Sequence, residues 1–175
     1  NLDPSPPNGV LNNILTRVGE CVKEQANHIE ILFEKKIAPL IDPWWQKNSK
    51  DILEVPIGPA GAQMQYLKLG EGTSHHVLVV GKTGSGKSTL FHTILASLFL
   101  SYSPQEVEVY LIDYKEGVEF KTYASHKAPH VRVVAIQSER EFGLSVLQGL
   151  NSEIDRRGEL FRKEEAKDIG EYRQK

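Results

Sequence analysis

The sequence predicts an α/β fold with a mainly parallel sheet, and three observations predict it. Short apolar runs at His76–Val80, Val107–Ile112 and Val131–Ile136 read as strands. Helical patterns at Leu90–Leu100 and from Glu139 to about Lys163 alternate with them. A glycine-rich run, Gly81–Ser88, stands between the first strand and the first helix. Strands that alternate with helices are joined by crossovers and lie parallel.

The elements before this core read as follows. Residues 1–9 (NLDPSPPNG) are polar and proline-rich, a linker or disordered end. From Val10 the pattern is helical: Leu11, Leu15, Val18, Val22, Gln25, Ile29 and Leu32 step by alternating four and three residues. That is a heptad-like seam, suited to packing on a neighbouring domain or to pairing with a partner helix. Pro39 and Pro43 end it, since proline lacks the donor a helix interior needs. Trp44 and Trp45 are expected to anchor this segment, residues 10–50, on the core. Two extended runs, Ile52–Ile57 and Tyr66–Leu69, flank GPAGAQ and predict a β-hairpin leading into the main sheet. Residues 51–175 are expected to form the principal domain.

Within that domain the first core helix carries Leu90, Phe91, Ile94, Leu95, Leu98 and Phe99 on one face, and Ser103-Pro104 breaks it. The strand Val107–Ile112 has an apolar end, which suggests burial on both faces. The last helix carries Phe142, Val146, Leu150 and Ile154 on one side.

Composition bounds the function. The chain has 175 residues, enough for one domain and a small appendage, with 39% hydrophobic and 25% charged residues, a globular balance. Net charge is −2 and the pI is about 6.3, so this stretch alone should not hold nucleic acid tightly. DNA contact would need a local patch or an assembled ring. Cys21 is the single cysteine, so no disulfide forms within the chain, which fits a reducing cytosol. The longest apolar stretches are too short to span a bilayer. The chain starts at Asn1 without methionine and reads as a piece of something longer.

Gly81-Lys82-Thr83-Gly84-Ser85-Gly86-Lys87-Ser88 matches G-x-x-x-x-G-K-[ST], the P-loop pattern. Gly81, Gly84 and Gly86 allow turns that a Cβ would obstruct. The turned backbone aims successive N–H groups, those of Lys82, Thr83 and Ser85 among them, into an anion-sized nest. The helix that starts near Lys87 adds its positive end. Lys87 is expected to reach the β- and γ-phosphates of ATP, Ser88 to ligate Mg²⁺, and Thr89 to bond near the α-phosphate. Lys87 and Ser88 are the catalytic candidates. A bare pattern has false positives, but here a strand precedes it and an amphipathic helix follows.

Asp113 closes the second strand, on the ligand side of an open α/β sheet. It either faces a magnesium-bound water or positions Lys87, or it is simply a turn acid. Lys115 and Glu119 are candidates to face a neighbouring subunit, and Gln137 is a weaker candidate for the same edge. Arg156 and Arg157 fit an exposed helix face paired with Glu153 or Glu159 better than a phosphate role. His75 and His76 lack nearby acidic or cysteine partners and read as residues leading into the strand rather than as metal ligands. His126 and His130 have no evident partner.

With these pieces placed, a resemblance becomes specific. HHVLVVGKTGSGKS resembles the Walker A segment of the FtsK/SpoIIIE family, and VPIG…YLKLG its preceding hairpin. SPQEVEVYLID, APHVRVV and EIDRRGELFRKEEAKDIGEYRQK resemble its second strand, third-strand approach and long helix. The likeness covers about residues 52–175. It implies a RecA-like P-loop NTPase core in a cytoplasmic ATPase, membrane-tethered through parts outside this stretch. It implies a homo-hexameric ring that moves double-stranded DNA. Tyr114 stands where the family often has proline, and LIDYKEGVEF resembles the branch shared with type VII secretion ATPases, so protein export is the alternative cargo reading. The resemblance places the Walker B strand after residue 175, so this piece alone is expected to bind ATP weakly and hydrolyse it hardly at all. An ABC-type ATPase would need an LSGGQ-like signature, and GLSVLQG at 143–149 is not one.

Overall fold

A computed structural model of the chain describes residues 9–26, 31–113, 119–135 and 140–175. It divides into two compact units, Asn1–Leu32 and Phe33–Lys175. The first holds helix α1, Val10–Ala26. Leu11, Leu15 and Val18 of the heptad seam are exposed on it.

The second unit begins with a short helix, α2 (Phe33–Lys36), and a 3-10 turn at Ala38–Leu40, where Pro39 suits the first turn. Strands β1 (Leu53–Ala60) and β2 (Gln63–Leu69) then form the expected hairpin, longer than the sequence pattern marked it. They pair antiparallel from Leu53 opposite Leu69 to Ala60 opposite Gln63. Gly61 makes the turn at φ 62°, a conformation glycine reaches without steric cost. A bulge between Pro56 and Gly58 bends β1 over the next helix.

That helix is α3, Lys87–Ser101. It is apolar on more than one side, so its buried face is set by what packs on it. Val55 of β1, Leu98 and Tyr102 form a buried core, joined by Leu53, Ile57, Leu67, Ile94, Phe99 and Val107. Burying a side chain of this size stabilises by about 1.5–3 kcal/mol. The expected face is corrected in part: Ser97 and Ser101 are buried with Leu95 and Leu98, while Phe91 is exposed. The reason is polar, because the Ser97 hydroxyl donates to the Pro56 carbonyl of β1 at 2.8 Å. Trp45, half exposed, ties the stretch just before the hairpin to α3: its indole N–H donates to the Phe99 carbonyl at 2.9 Å, and Trp44 is exposed too.

Strands β3 (Val109–Ile112) and β4 (Val131–Ala135) pair in parallel, as the alternating pattern predicted. Helix α4, Lys121–Ser125, lies on the connection between them. Burial is less even than expected, since only Leu111 of β3 is fully inside. Helix α5 runs Arg140–Lys163, with Val146 buried and Phe142 and Ile154 exposed. A last turn, α6 (Ile169–Tyr172), is capped by Asp168, and Glu171 reaches back to the residue before the cap. Asp168 accepts from the Glu171 N–H at 2.8 Å, and Glu171 accepts from the Lys167 N–H at 2.6 Å. Arg173 then clips this end onto Glu106 at 2.7 Å and Ser49 at 3.0 Å.

One expected element does not form. His76–Val80 carries no strand pairing, and Val77, Leu78 and Val80 are 55, 86 and 82% exposed. A strand exists only where neighbours satisfy its N–H and C=O groups, and neither described sheet lies alongside this segment.

Candidate functional site

The P-loop is curled where the pattern requires it. Gly84 and Gly86 have φ of 78° and 86°, left-handed values at which a Cβ is strained. The Ser85 N–H donates to the Lys82 carbonyl at 3.2 Å, closing a turn, and Gly86 caps α3 by accepting from the Leu90 N–H at 2.9 Å. Helix α3 therefore starts at Lys87, and its unpaired N–H groups open on the loop. Lys87 folds its ammonium back onto the loop, donating to the carbonyls of Gly81 at 2.7 Å and Lys82 at 2.8 Å. Those carbonyl oxygens occupy donors that a phosphate would otherwise take.

Thr83, Gly84, Gly86, Lys87, Ser88 and Thr89 line one open cleft of about 920 Å³, and Asp113 lines it from the end of β3. This is within the size range of small-ligand sites. Gly81, Lys82 and Ser85 stand outside the lining and act through the backbone that shapes the turn. The Asp113 N–H donates to the Ala135 carbonyl at 3.0 Å, which fixes this acidic residue at the carboxyl edge of the parallel pair.

Glu119 touches this chain's own P-loop. The Ser88 hydroxyl donates to Glu119 Oε1 at 2.9 Å. Glu119 Oε2 lies 3.4 Å from His92 Nε2, and His92 Nδ1 lies 2.7 Å from the Tyr123 hydroxyl. A carboxylate only accepts, so a neutral His92 serves it through Nε2–H and takes the Tyr123 proton donor at Nδ1. Burial pushes the Tyr123 hydroxyl up, which keeps it a donor. The Tyr123 ring also stacks on His92, with centroids 5.6 Å apart, and meets Phe99 edge-on.

The sequence reading missed His92 and did not foresee the contact of Glu119 with Ser88. The signal for His92 was present: it follows Ser88 by four residues, hence on the same helix face. No local signal places Glu119, because it reaches Ser88 only through the packing of α4 against the sheet. Lys115 and Gln137 lie outside the described residues.

The donor set fits Mg²⁺. A serine hydroxyl and a carboxylate, both hard oxygen donors, meet where phosphate oxygens would complete the shell. Among the described residues no group of three or more His, Cys, Asp or Glu side chains gathers as a metal site.

A second cleft, of about 850 Å³, lies between the hairpin, β3 and α5. Two of its arginines are already paired: Arg173 with Glu106, and Arg157 with Glu153, each at 2.7 Å. It holds no loop that would receive an anion. Arg156 and Arg157 form the expected pairs with Glu153, and His130 is buried, its Nε2 donating to the Tyr102 carbonyl at 2.8 Å.

With this geometry in place, comparison with known proteins decides the family. The model of the FtsK/SpoIIIE family matches residues 37–175. The chain belongs to the FtsK/SpoIIIE family. Similar curated proteins include the ESX secretion system protein YukB of Bacillus subtilis (strain 168), 30% identical over 157 residues, which cover 86% of this chain and 10% of YukB. They also include the DNA translocase FtsK of Streptococcus pyogenes serotype M1, 33% identical over 129 residues, 73% of this chain and 15% of FtsK. Among solved structures, the cytoplasmic domain of the type VII secretion ATPase EccC of Thermomonospora curvata superposes with a TM-score of 0.52 at 26% identity. That match covers 70% of this chain and 15% of the EccC chain. The chain thus spans 10 to 15% of the relatives' length. The fold is the α/β P-loop NTPase fold of an ATPase family. Among the described residues no helix is long and apolar enough to cross a membrane.

Proposed function

We propose that this chain supplies the nucleotide-binding part of an FtsK/SpoIIIE ATPase that moves double-stranded DNA through a homo-hexameric ring in the cytoplasm. One observation carries the nucleotide reading: left-handed Gly84 and Gly86 present Lys87, Ser88 and the start of α3 to a cleft edged by Asp113. Lys87 holds the β- and γ-phosphates, Ser88 holds Mg²⁺, and Thr89 bonds near the α-phosphate. Asp113 orders a water on the metal or positions Lys87. Mg²⁺, when bound, neutralises charge that develops on the phosphates. The chain's own part is to hold the phosphates and turn nucleotide state into movement at subunit interfaces. DNA as cargo rests on the similarity to FtsK of Streptococcus pyogenes. With a net charge of −2, DNA contact would come from a local patch or from an assembled ring.

A second reading, a secretion ATPase with protein cargo, is favoured by the longer match to YukB and by the EccC superposition. ATP hydrolysis by the full-length protein, with and without long duplex DNA, separates the two. Stimulation of about tenfold or more supports DNA as cargo. An unchanged rate with DNA contradicts it and leaves protein export.

A further inference from the structure

We infer that Glu119 is a second protein ligand, beside Ser88, to the divalent cation that accompanies the nucleotide. The inference rests on the P-loop reading above and deepens it. In an octahedral Mg²⁺ shell with bonds of about 2.0–2.1 Å, adjacent ligand oxygens lie about 2.9 Å apart. Ser88 Oγ and Glu119 Oε1 are 2.9 Å apart, and both residues line the same cleft. The chain therefore already holds two hard oxygen donors at the spacing of one octahedral edge.

Charge argues the same way. A bare carboxylate beside a triphosphate repels it, and a shared cation reverses the sign. A glutamate at this place is therefore favourable to nucleotide only when the metal is there too. Its orientation is set by neighbours rather than by chance. Oε2 meets His92 Nε2 at 3.4 Å, and Tyr123, on α4, holds the other side of that imidazole at 2.7 Å. His92 and Ser88 both stand on α3, so the second donor is referenced to the helix that carries the first.

The test uses the full-length protein and Glu119→Gln, an isosteric change at a side chain that is half exposed, so folding is preserved. ATPγS affinity is measured by calorimetry in EDTA and in Mg²⁺. Mn²⁺ binding to the nucleotide-loaded protein is followed by paramagnetic resonance, which needs no turnover. Wild type should bind ATPγS more tightly with Mg²⁺. Glu119→Gln should lose about tenfold of that gain, weaken Mn²⁺ binding to a similar extent, and bind at least as well as wild type in EDTA. Glu119→Asp should recover part of the loss. If Glu119→Gln keeps the full Mg²⁺ gain and binds more tightly in both buffers, Glu119 is only a latch on Ser88 and the inference is overturned. If wild type binds no ATPγS in either buffer, the P-loop reading itself fails, and this inference with it.

Discussion

The Lys87 ammonium lies 2.7 Å from the Gly81 carbonyl, six residues back along the loop, so this side chain braces the turn it belongs to. The same side chain that would clamp the β- and γ-phosphates must leave two backbone carbonyls to do so, and a phosphate oxygen with full charge is the better acceptor.

Removing that ammonium should abolish useful nucleotide binding without unfolding the domain. Charge-assisted hydrogen bonds are worth about 1.5–3 kcal/mol each, so Lys87→Ala should weaken ATPγS binding about tenfold or more. Calorimetry on the full-length protein checks it. Equal affinity in variant and wild type contradicts the assignment.

Gly86→Ala places a Cβ on a residue at φ 86° that also caps α3. The left-handed conformation costs a non-glycine residue about 1–2 kcal/mol. Either that cost appears as lower stability or the turn rearranges, and in both cases nucleotide affinity should fall. Denaturant titration beside ATPγS binding detects it. An unchanged midpoint together with unchanged affinity argues against the observed loop.

Much of the architecture was legible because its signals are local. The hairpin follows from extended runs around Gly61, and α3 and α5 from helical periodicity and Ser103-Pro104. The parallel β3–β4 pair follows from the overall alternation of strands and helices, although the pattern marks only a loop where α4 lies on their connection. His76–Val80 shows the limit of that reading. Its apolar run was visible, but pairing depends on strands elsewhere, and the described sheets do not supply them. The site divides the same way. The loop from Gly81 to Thr89 was readable because glycine spacing dictates backbone shape. Glu119 was not, because its place beside Ser88 is created by contacts 31 residues apart in sequence.

Tyr102 ties the hairpin to the end of α3. Its hydroxyl accepts from the Glu54 N–H at 2.8 Å and donates to the Glu54 carbonyl at 3.2 Å, with the residue 1% exposed. Tyr102→Phe strands the Glu54 N–H, while the Glu54 carbonyl keeps the Lys47 ammonium at 2.9 Å, and should cost about 1–3 kcal/mol. Chemical denaturation monitored by circular dichroism tests this. A change below a few tenths of a kcal/mol would mean that water replaces the hydroxyl.

Glu153 should titrate abnormally. The Arg156 guanidinium first, then that of Arg157, pulls its carboxyl from an ordinary 4.5 to about 2. A depressed carboxyl pKa gives stability that is fully present above the unfolded value and is lost as pH falls through the folded one. The window is therefore from about 4.5 down to about 2. The group is exposed and salt-screened, so the effect should show in local helix order on α5 more than in global stability. Carboxyl NMR should give a Glu153 midpoint near the low value in wild type, moving toward the ordinary one in Arg156→Ala. An ordinary midpoint in wild type contradicts the pairing.

The most direct test is a titration of Mg²⁺ and ATPγS into isotope-labelled protein, followed by amide NMR residue by residue. Shifts concentrated at Gly81–Thr89, with Asp113 and Glu119 responding and the cleft beside Arg173 silent, are what a triphosphate on this loop produces. Saturable shifts that leave Gly84, Gly86 and Lys87 unmoved would show that nucleotide binds elsewhere or not at all.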